Sequence, residues 1–209
     1  MLIIASEEHH DIGYPTIVQT MASLYLGASD TLTTTLQWMT LNLARNPDTQ
    51  QQCFEEIARS LDKHGKIKPK ECHLLQSFLL ENMRMFPVSD TLPHYTDEDL
   101  TAGGYHIPSG SIIQGSLTAI MHNPAHFEDP NVFKPDRFLV NGVYEYDMHV
   151  CNFSVGLRNC IGRQLAQNQY FQYTAQLITR FRMHAEIIDV VPIGRVRMMF
   201  LMLIKRDMF

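Results

Sequence analysis

Phe153-Ser-Val-Gly-Leu-Arg-Asn-Cys-Ile-Gly162 presents a single thiol, Cys160, between Gly156 and Gly162 and runs directly into an apolar-periodic segment. Downstream of it Leu165, Ala166, Tyr170, Phe171, Tyr173, Leu177 and Ile178 recur near 3.6-residue spacing, which predicts a helix over 161–180. Cys160 is thereby placed at a helix N-terminus, where unpaired N–H groups and the positive end of the dipole favour thiolate over thiol. Arg158 adds a permanent positive charge two residues away. A lone cysteine is most often an inert apolar filler, so the stretch has to be weighed against the rest of the chain.

Between Tyr14 and Ala44 the only charged residue is Asp30. With Pro15 at the start and Asn46-Pro47 at the end, the segment predicts one helix over 14–45, about 45 Å long. A helix that long with one charge is expected to be buried on nearly every side. Asp30 lies mid-way, in Gly27-Ala-Ser-Asp-Thr31. The small residues and hydroxyls there fit a local bend, whereas a buried ionisable group calls for a functional reason.

A second helix starts at Asn46 as N-cap with Pro47 at N1, carries Phe54, Ile57, Ala58 and Leu61 on one face and stops at Gly65. A third is predicted over 71–86, ended by Pro87. Glu81 and Arg84 sit three residues apart on its flank, a spacing that in an exposed pair contributes only a few tenths of a kcal/mol. The turn-rich stretch 93–116 predicts a small antiparallel sheet, with Tyr105–Ile107 and Ser111–Gln114 as its strands. From His122 to the thiol loop few regular elements are expected, and such long irregular segments are usually functional. The runs 187–193 and 198–204 predict a closing hairpin.

The thiol loop resembles the haem-binding signature of the cytochrome P-450 family, Phe-x-x-Gly-x-Arg-x-Cys-x-Gly, at every fixed position: Phe153, Gly156, Arg158, Cys160 and Gly162. A chance match of that kind has a probability on the order of 10⁻⁴ for a chain of this length. Gly27, Asp30 and Thr31 resemble the family's oxygen-activation motif, (Ala/Gly)-Gly-x-(Asp/Glu)-Thr, with departures at Ala28, where the family usually has Gly, and at Leu32. Glu81-x-x-Arg84 is similar to the family's Glu-x-x-Arg, and Phe133-Lys-Pro-Asp-Arg137-Phe138 to its Phe-x-Pro-(Glu/Asp)-Arg-Phe. Pro93-His94-Tyr-Thr-Asp resembles a stretch of animal microsomal members.

The resemblance implies a mainly α fold with a small antiparallel β-region, truncated to the C-terminal half of a single domain over 1–209. It implies haem b as cofactor, with its iron held by Cys160 and with Arg158 and His94 donating to haem propionates; Phe153, Gly156, Gly162 and Ala28 would border the haem. Asp30 and Thr31 would relay protons during dioxygen activation. Glu81, Arg84 and Arg137 would form a buried structural triad. The implied reaction inserts one oxygen atom from dioxygen into a lipophilic small molecule, with electrons from an NADPH-dependent flavoprotein reductase. The implied location is the cytoplasmic face of the endoplasmic reticulum, with membrane association through an N-terminal half absent from this chain. Two other readings stand beside it: a thiolate-haem isomerase acting on peroxides, against which the Asp30-Thr31 pair argues, and a truncated, non-catalytic product.

Composition narrows the field independently. A net charge of −5 without Lys/Arg runs speaks against a nucleic-acid partner. The cysteines at 53, 72, 151 and 160 have neither zinc-site spacing nor disulfide density, which favours a reducing compartment. Glu7-Glu-His-His-Asp11 reads as part of a polar leader over 1–13, because adjacent ligands point in different directions on a regular element. No apolar run is long enough to span a bilayer, and the N-terminus lacks the length of a signal peptide.

Overall fold

A computed structural model describes residues 13–185 and 202–205. Five α-helices dominate: α1 (Tyr14–Arg45), α2 (Pro47–Arg59), α3 (His73–Met85), the short α4 (Leu117–Met121) and α5 (Arg163–Arg180). Four two-stranded antiparallel ladders accompany them: β1 (Thr91–Tyr95) with β4 (Ile112–Ser116), β2 (Leu100–Ala102) with β3 (Tyr105–Ile107), β5 (Leu139–Val140) with β6 (Val143–Tyr144), and β7 (Arg182–Ala185) with β8 (Met202–Lys205). Mainly helical architecture with small antiparallel ladders is thus what the chain adopts.

The core forms where α1, α2, α3 and α5 meet. Met39, Leu43, Cys53, Ile57, Leu75, Phe78 and Ala175 are wholly enclosed there. Trp38 of α1 stacks on Phe86 at 4.1 Å, and Phe133 packs edge-on against Phe78. Buried amides tie the layers together: Asn42 Nδ2 donates to Asn82 Oδ1 (2.6 Å), and Gln50 joins the Leu43 carbonyl of α1 to both backbone groups of Met183 in β7. A buried amide left without such partners would cost about 1–3 kcal/mol, so these bonds specify the packing.

Several boundaries differ from the sequence-based expectation. Asn46 supplies no side-chain cap to α2; its Nδ2 donates back to the Asn42 carbonyl (2.7 Å) and closes the end of α1 instead. Helix α2 stops at Arg59, well before Gly65, because Ser60 turns back onto the Ile57 carbonyl and Leu61 leaves the helix to bridge Ile67. Gly65, at φ +73°, serves that tight loop, where Asp62 gathers the N–H groups of His64 and Lys66. Strand Tyr105–Ile107 does not pair with 111–114. It folds back through Gly103-Gly104 onto Leu100–Ala102, while 112–116 pairs with Thr91–Tyr95. Arg182–Ala185 pairs with Met202–Lys205; the run 187–193, residues 198–201 of the second run and the leader residues 1–12 lie outside the described residues.

The largest departure concerns α1. Burial on nearly every side holds only from Met39 to Ala44, whereas Tyr14, Val18, Met21, Leu24, Tyr25 and Leu26 are exposed. The reason is geometric: α1 is much longer than the helices beside it, and the partly buried Leu32 and Leu36 mark where it enters the core. Each large apolar side chain left in water forgoes about 1.5–3 kcal/mol of burial. The isolated 209-residue chain is therefore expected to self-associate, seen as a mass well above 24.1 kDa in light scattering and strong binding of a hydrophobic dye. A monodisperse monomer that binds no dye would refute this. None of the described helices is long and apolar enough to cross a membrane.

Candidate functional site: the thiol loop and its buried support

The loop ahead of α5 is closed by its own backbone. The Cys160 N–H donates to the Phe153 carbonyl (2.8 Å), the Ser154 N–H to the Cys151 carbonyl (2.8 Å), and a 3-10 turn spans Gly156–Arg158. Two residues take left-handed backbone conformations, Ser154 at φ +62° and Gly156 at φ +70°. A glycine at 156 meets that demand without strain, whereas Ser154 stores some, a frequent property of functional turns. Helix α5 begins at Arg163, two residues later than the periodicity indicates, with the Arg163 N–H reaching back to the Cys160 carbonyl (3.3 Å).

Three contacts hold the loop in place. Asn152 Nδ2 donates to the Met83 carbonyl near the end of α3 (3.0 Å). The Arg163 guanidinium lies over the rings of Tyr146 (5.1 Å) and Phe153 (5.9 Å). Val150, buried just upstream, accepts from the Tyr146 hydroxyl (3.0 Å). The thiol itself faces outward: among the four cysteines only Cys160 is exposed, Cys53 and Cys72 are buried, and Cys151 is half-buried with its thiol pushed up by desolvation. Around it Val155, Leu157 and Ile161 are exposed apolar side chains, and Arg158 is an exposed cation. A Cβ at Gly162 would make ordinary van der Waals contact with Cys160 Sγ, at 3.7 Å, so the glycine leaves the sulfur's flank open without being required by space.

Helix α1, which carries the Asp30–Thr31 turn, packs on α5 through residues C-terminal to that turn. Tyr170 Oη donates to Thr35 Oγ1 (3.3 Å), and four residues on in both helices Thr174 Oγ1 lies 3.9 Å from Met39 Sδ. The two helices therefore run side by side in one direction. Ala28, Asp30 and Thr31 are exposed. The Thr31 hydroxyl donates to the Gly27 carbonyl (2.6 Å), so its hydrogen is committed and its lone pairs remain as acceptors. His94, exposed in β1 opposite Ile113, has no hydrogen bond to the loop among the described residues.

Behind the loop lies a buried ion cluster. Arg84 meets Glu81 with two bonds, Nε to Oε2 (2.7 Å) and Nη2 to Oε1 (2.9 Å), and Arg137 Nε donates to the same Oε2 (3.0 Å). Glu81 and Arg84 are fully enclosed. The remaining donors are satisfied by main chain: Arg84 Nη1 by the carbonyls of Met121 (2.7 Å) and Pro130 (2.8 Å), and Arg137 Nη2 by Val132 (2.8 Å). The Lys134 N–H completes the shell of Glu81 at 2.9 Å, and Phe127 packs 5.2 Å under the Arg84 guanidinium. One cluster thus gathers α3, α4 and the irregular 128–138 segment, and Asn152 anchors the thiol loop to the same helix.

Sequence reasoning did not single out Asn152, Arg163 or Tyr170. The aromatic residues around Arg163 come from separate segments, and the Tyr170–Thr35 bond joins positions 135 residues apart.

Comparison with known proteins agrees with this arrangement. The family model for Cytochrome P450 matches residues 1–209. Among curated relatives, the chain is 31% identical over 187 residues to the mitochondrial cholesterol side-chain cleavage enzyme of Hypanus americanus, covering 87% of this chain and 34% of that protein. It is 31% identical over 189 residues to Cytochrome P450 1A1 of Sparus aurata (84% and 36%) and 29% over 207 residues to Cytochrome P450 2E1 of Bos taurus (93% and 42%). The chain spans about a third of the length of the curated relatives it matches. With the family model covering every residue from the leader to the last strand, the chain belongs to the cytochrome P450 family.

Proposed function

We propose that this chain is the thiolate-bearing part of a haem-thiolate monooxygenase acting on a lipophilic small molecule. The observation that carries the reading is the single exposed thiol, Cys160, presented on a backbone-closed loop. The donor set fits a haem. Cys160 offers one soft anionic ligand, Gly162 leaves the flank of the sulfur free of a Cβ, Val155, Leu157 and Ile161 offer apolar contact, and Arg158 offers a cation for an acidic substituent. His94 would serve the second such substituent. When bound, thiolate-ligated haem supplies dioxygen activation and the oxidising power for C–H insertion.

The chain's own residues hold and deliver. Cys160 would hold the haem iron through its sulfur, and the Phe153 carbonyl fixes the Cys160 backbone by accepting from its N–H. Thr31 Oγ1, with its hydrogen given to the Gly27 carbonyl, accepts a hydrogen bond from a water molecule, and the exposed Asp30 carboxylate passes solvent protons to that water. Glu81, Arg84 and Arg137 take no part in proton transfer; they hold α3 and the segment beneath the loop.

The apolar stretch after α3 and the exposed apolar face of α1 fit a lipophilic substrate, as do relatives named for cholesterol side-chain cleavage and vitamin D hydroxylation. Electrons come from a redox partner. A flavoprotein reductase at the endoplasmic reticulum is one setting, and the mitochondrial relatives favour the mitochondrion as a second.

The test is turnover of the haem-loaded protein. Product formation is expected to require both dioxygen and reducing equivalents. Thr31→Ala is expected to leave haem content nearly unchanged while peroxide release rises and product per electron falls about 10-fold, a loss comparable to one hydrogen bond in the relay. Turnover of an organic peroxide without dioxygen or electrons would instead establish the isomerase reading, and unaltered coupling in Thr31→Ala would remove Thr31 from the relay.

A further inference from the structure

Tyr170 lies ten residues after Cys160 on α5, and its phenol is 4% exposed. Burial keeps it protonated by pushing its pKa up; the hydrogen bond to Thr35 acts the other way, and the charge of Cys160 adds to the upward push. Tyr170 Oη is therefore a donor, and its acceptor is Thr35 Oγ1 at 3.3 Å. Thr35, itself 2% exposed, spends its own hydrogen on the Thr31 carbonyl at 2.9 Å. Thr31 in turn donates to the Gly27 carbonyl. A continuous line of hydroxyls and carbonyls thus leads from α5 to the turn that carries Asp30 and Thr31.

Packing does not explain the hydroxyl, because phenylalanine would fill nearly the same space. Nor is another polar fix available closer to the turn. N-terminal to Leu32 the face of α1 is largely exposed, so the Thr35 bond is the last interhelical hydrogen bond before the Asp30–Thr31 turn among the described residues. The next contact, Thr174 to Met39, lies a full turn farther from the thiol and involves a weak sulfur acceptor.

We propose that Tyr170 is a positioning residue for the reaction: through Thr35 its hydroxyl sets the height of the Asp30–Thr31 turn relative to the Cys160 loop. The inference rests on the haem-thiolate reading above. Because the bond is neutral and buried, its loss leaves the cofactor bound and shifts the turn by an amount that catalysis, more than folding, detects.

The experiment compares Tyr170→Phe, Thr35→Val, the double variant and Thr35→Ser in the haem-loaded protein. Tyr170→Phe is expected to keep the reduced carbon-monoxide Soret band in place and to lower product per electron about 3- to 10-fold, the range that one buried neutral hydrogen bond spans. The double variant is expected to be no worse than the poorer single one, since both remove the same bond. Thr35→Ser, which keeps the hydroxyl, is expected to recover most of the coupling. Amide hydrogen exchange over 27–35 is expected to quicken in Tyr170→Phe while the amides of 39–44 keep their protection. Additive losses in the double variant, or unchanged exchange over 27–35, would overturn the proposal. Wild-type turnover that needs no dioxygen or electrons would overturn the monooxygenase reading instead, and the exchange measurement would still decide the role of Tyr170.

Discussion

Arg84→Ala is expected to abolish folding or to leave only aggregated, haem-free protein. Its guanidinium is fully enclosed and makes two bonds to Glu81 and two close ones to the carbonyls of Met121 and Pro130. Truncation leaves those carbonyls without a donor and leaves the buried Glu81 carboxylate with the Nε of Arg137 as its only cationic partner. Breaking a buried ion pair in this way costs about 3–5 kcal/mol, against a total stability of about 5–15 kcal/mol for a domain. Arg84→Lys is expected to recover little, because a point charge cannot reproduce a planar fork that serves a carboxylate and two carbonyls at once. Arg137→Ala is expected to cost less, since the Glu81–Arg84 pair survives it and the Arg137 side chain is partly at the surface. Soluble, haem-loaded yield and, for each variant that folds, the urea midpoint check the order: no such yield is expected of Arg84→Ala, and a lowered midpoint with an unchanged slope of Arg137→Ala. A soluble Arg84→Ala variant with the wild-type midpoint would show that the cluster contributes nothing to stability.

Cys160→Ser is expected to eliminate the strongly red-shifted Soret band of the reduced carbon-monoxide complex completely. A serine hydroxyl stays neutral near pH 7 and donates little charge to iron, whereas a thiolate is the ligand that produces the shift. No other cysteine can take over. Cys53 and Cys72 are buried in the core with their thiols pushed up by desolvation, and Cys151 is half-buried and raised for the same reason. Cys151→Ser is accordingly expected to keep the band. Retention of the band in Cys160→Ser, with its loss in Cys151→Ser, would move the ligand to the wrong side of the loop and end the present assignment.

Much of the fold was legible in local pattern. The charge-free run with proline at its start marks α1, and the Glu81–Arg84 spacing places both residues on one side of α3. Where the expectations failed, a distant partner had replaced a local signal. The N-terminus of α3 is capped by no residue of its own: Glu56 of α2 accepts the N–H groups of Leu74 (2.8 Å) and Leu75 (3.0 Å). The strand Tyr105–Ile107 chose its neighbour through the two left-handed glycines at 103 and 104, which form the shorter hairpin.

By itself the sequence determined the family, because a ten-residue loop with a thiol, a cation and two glycines is a local object whose spacing can be read directly. It also determined that Glu81, Arg84 and Arg137 are the charges to ask about. Only the tertiary structure decided that these three are one enclosed cluster, that the long helix is buried chiefly in its last third, and that Tyr170 reaches Thr35. The physical reason is that burial and long-range hydrogen bonding depend on which surfaces meet. A helical period announces an apolar face, but it does not say how far along that face a partner extends.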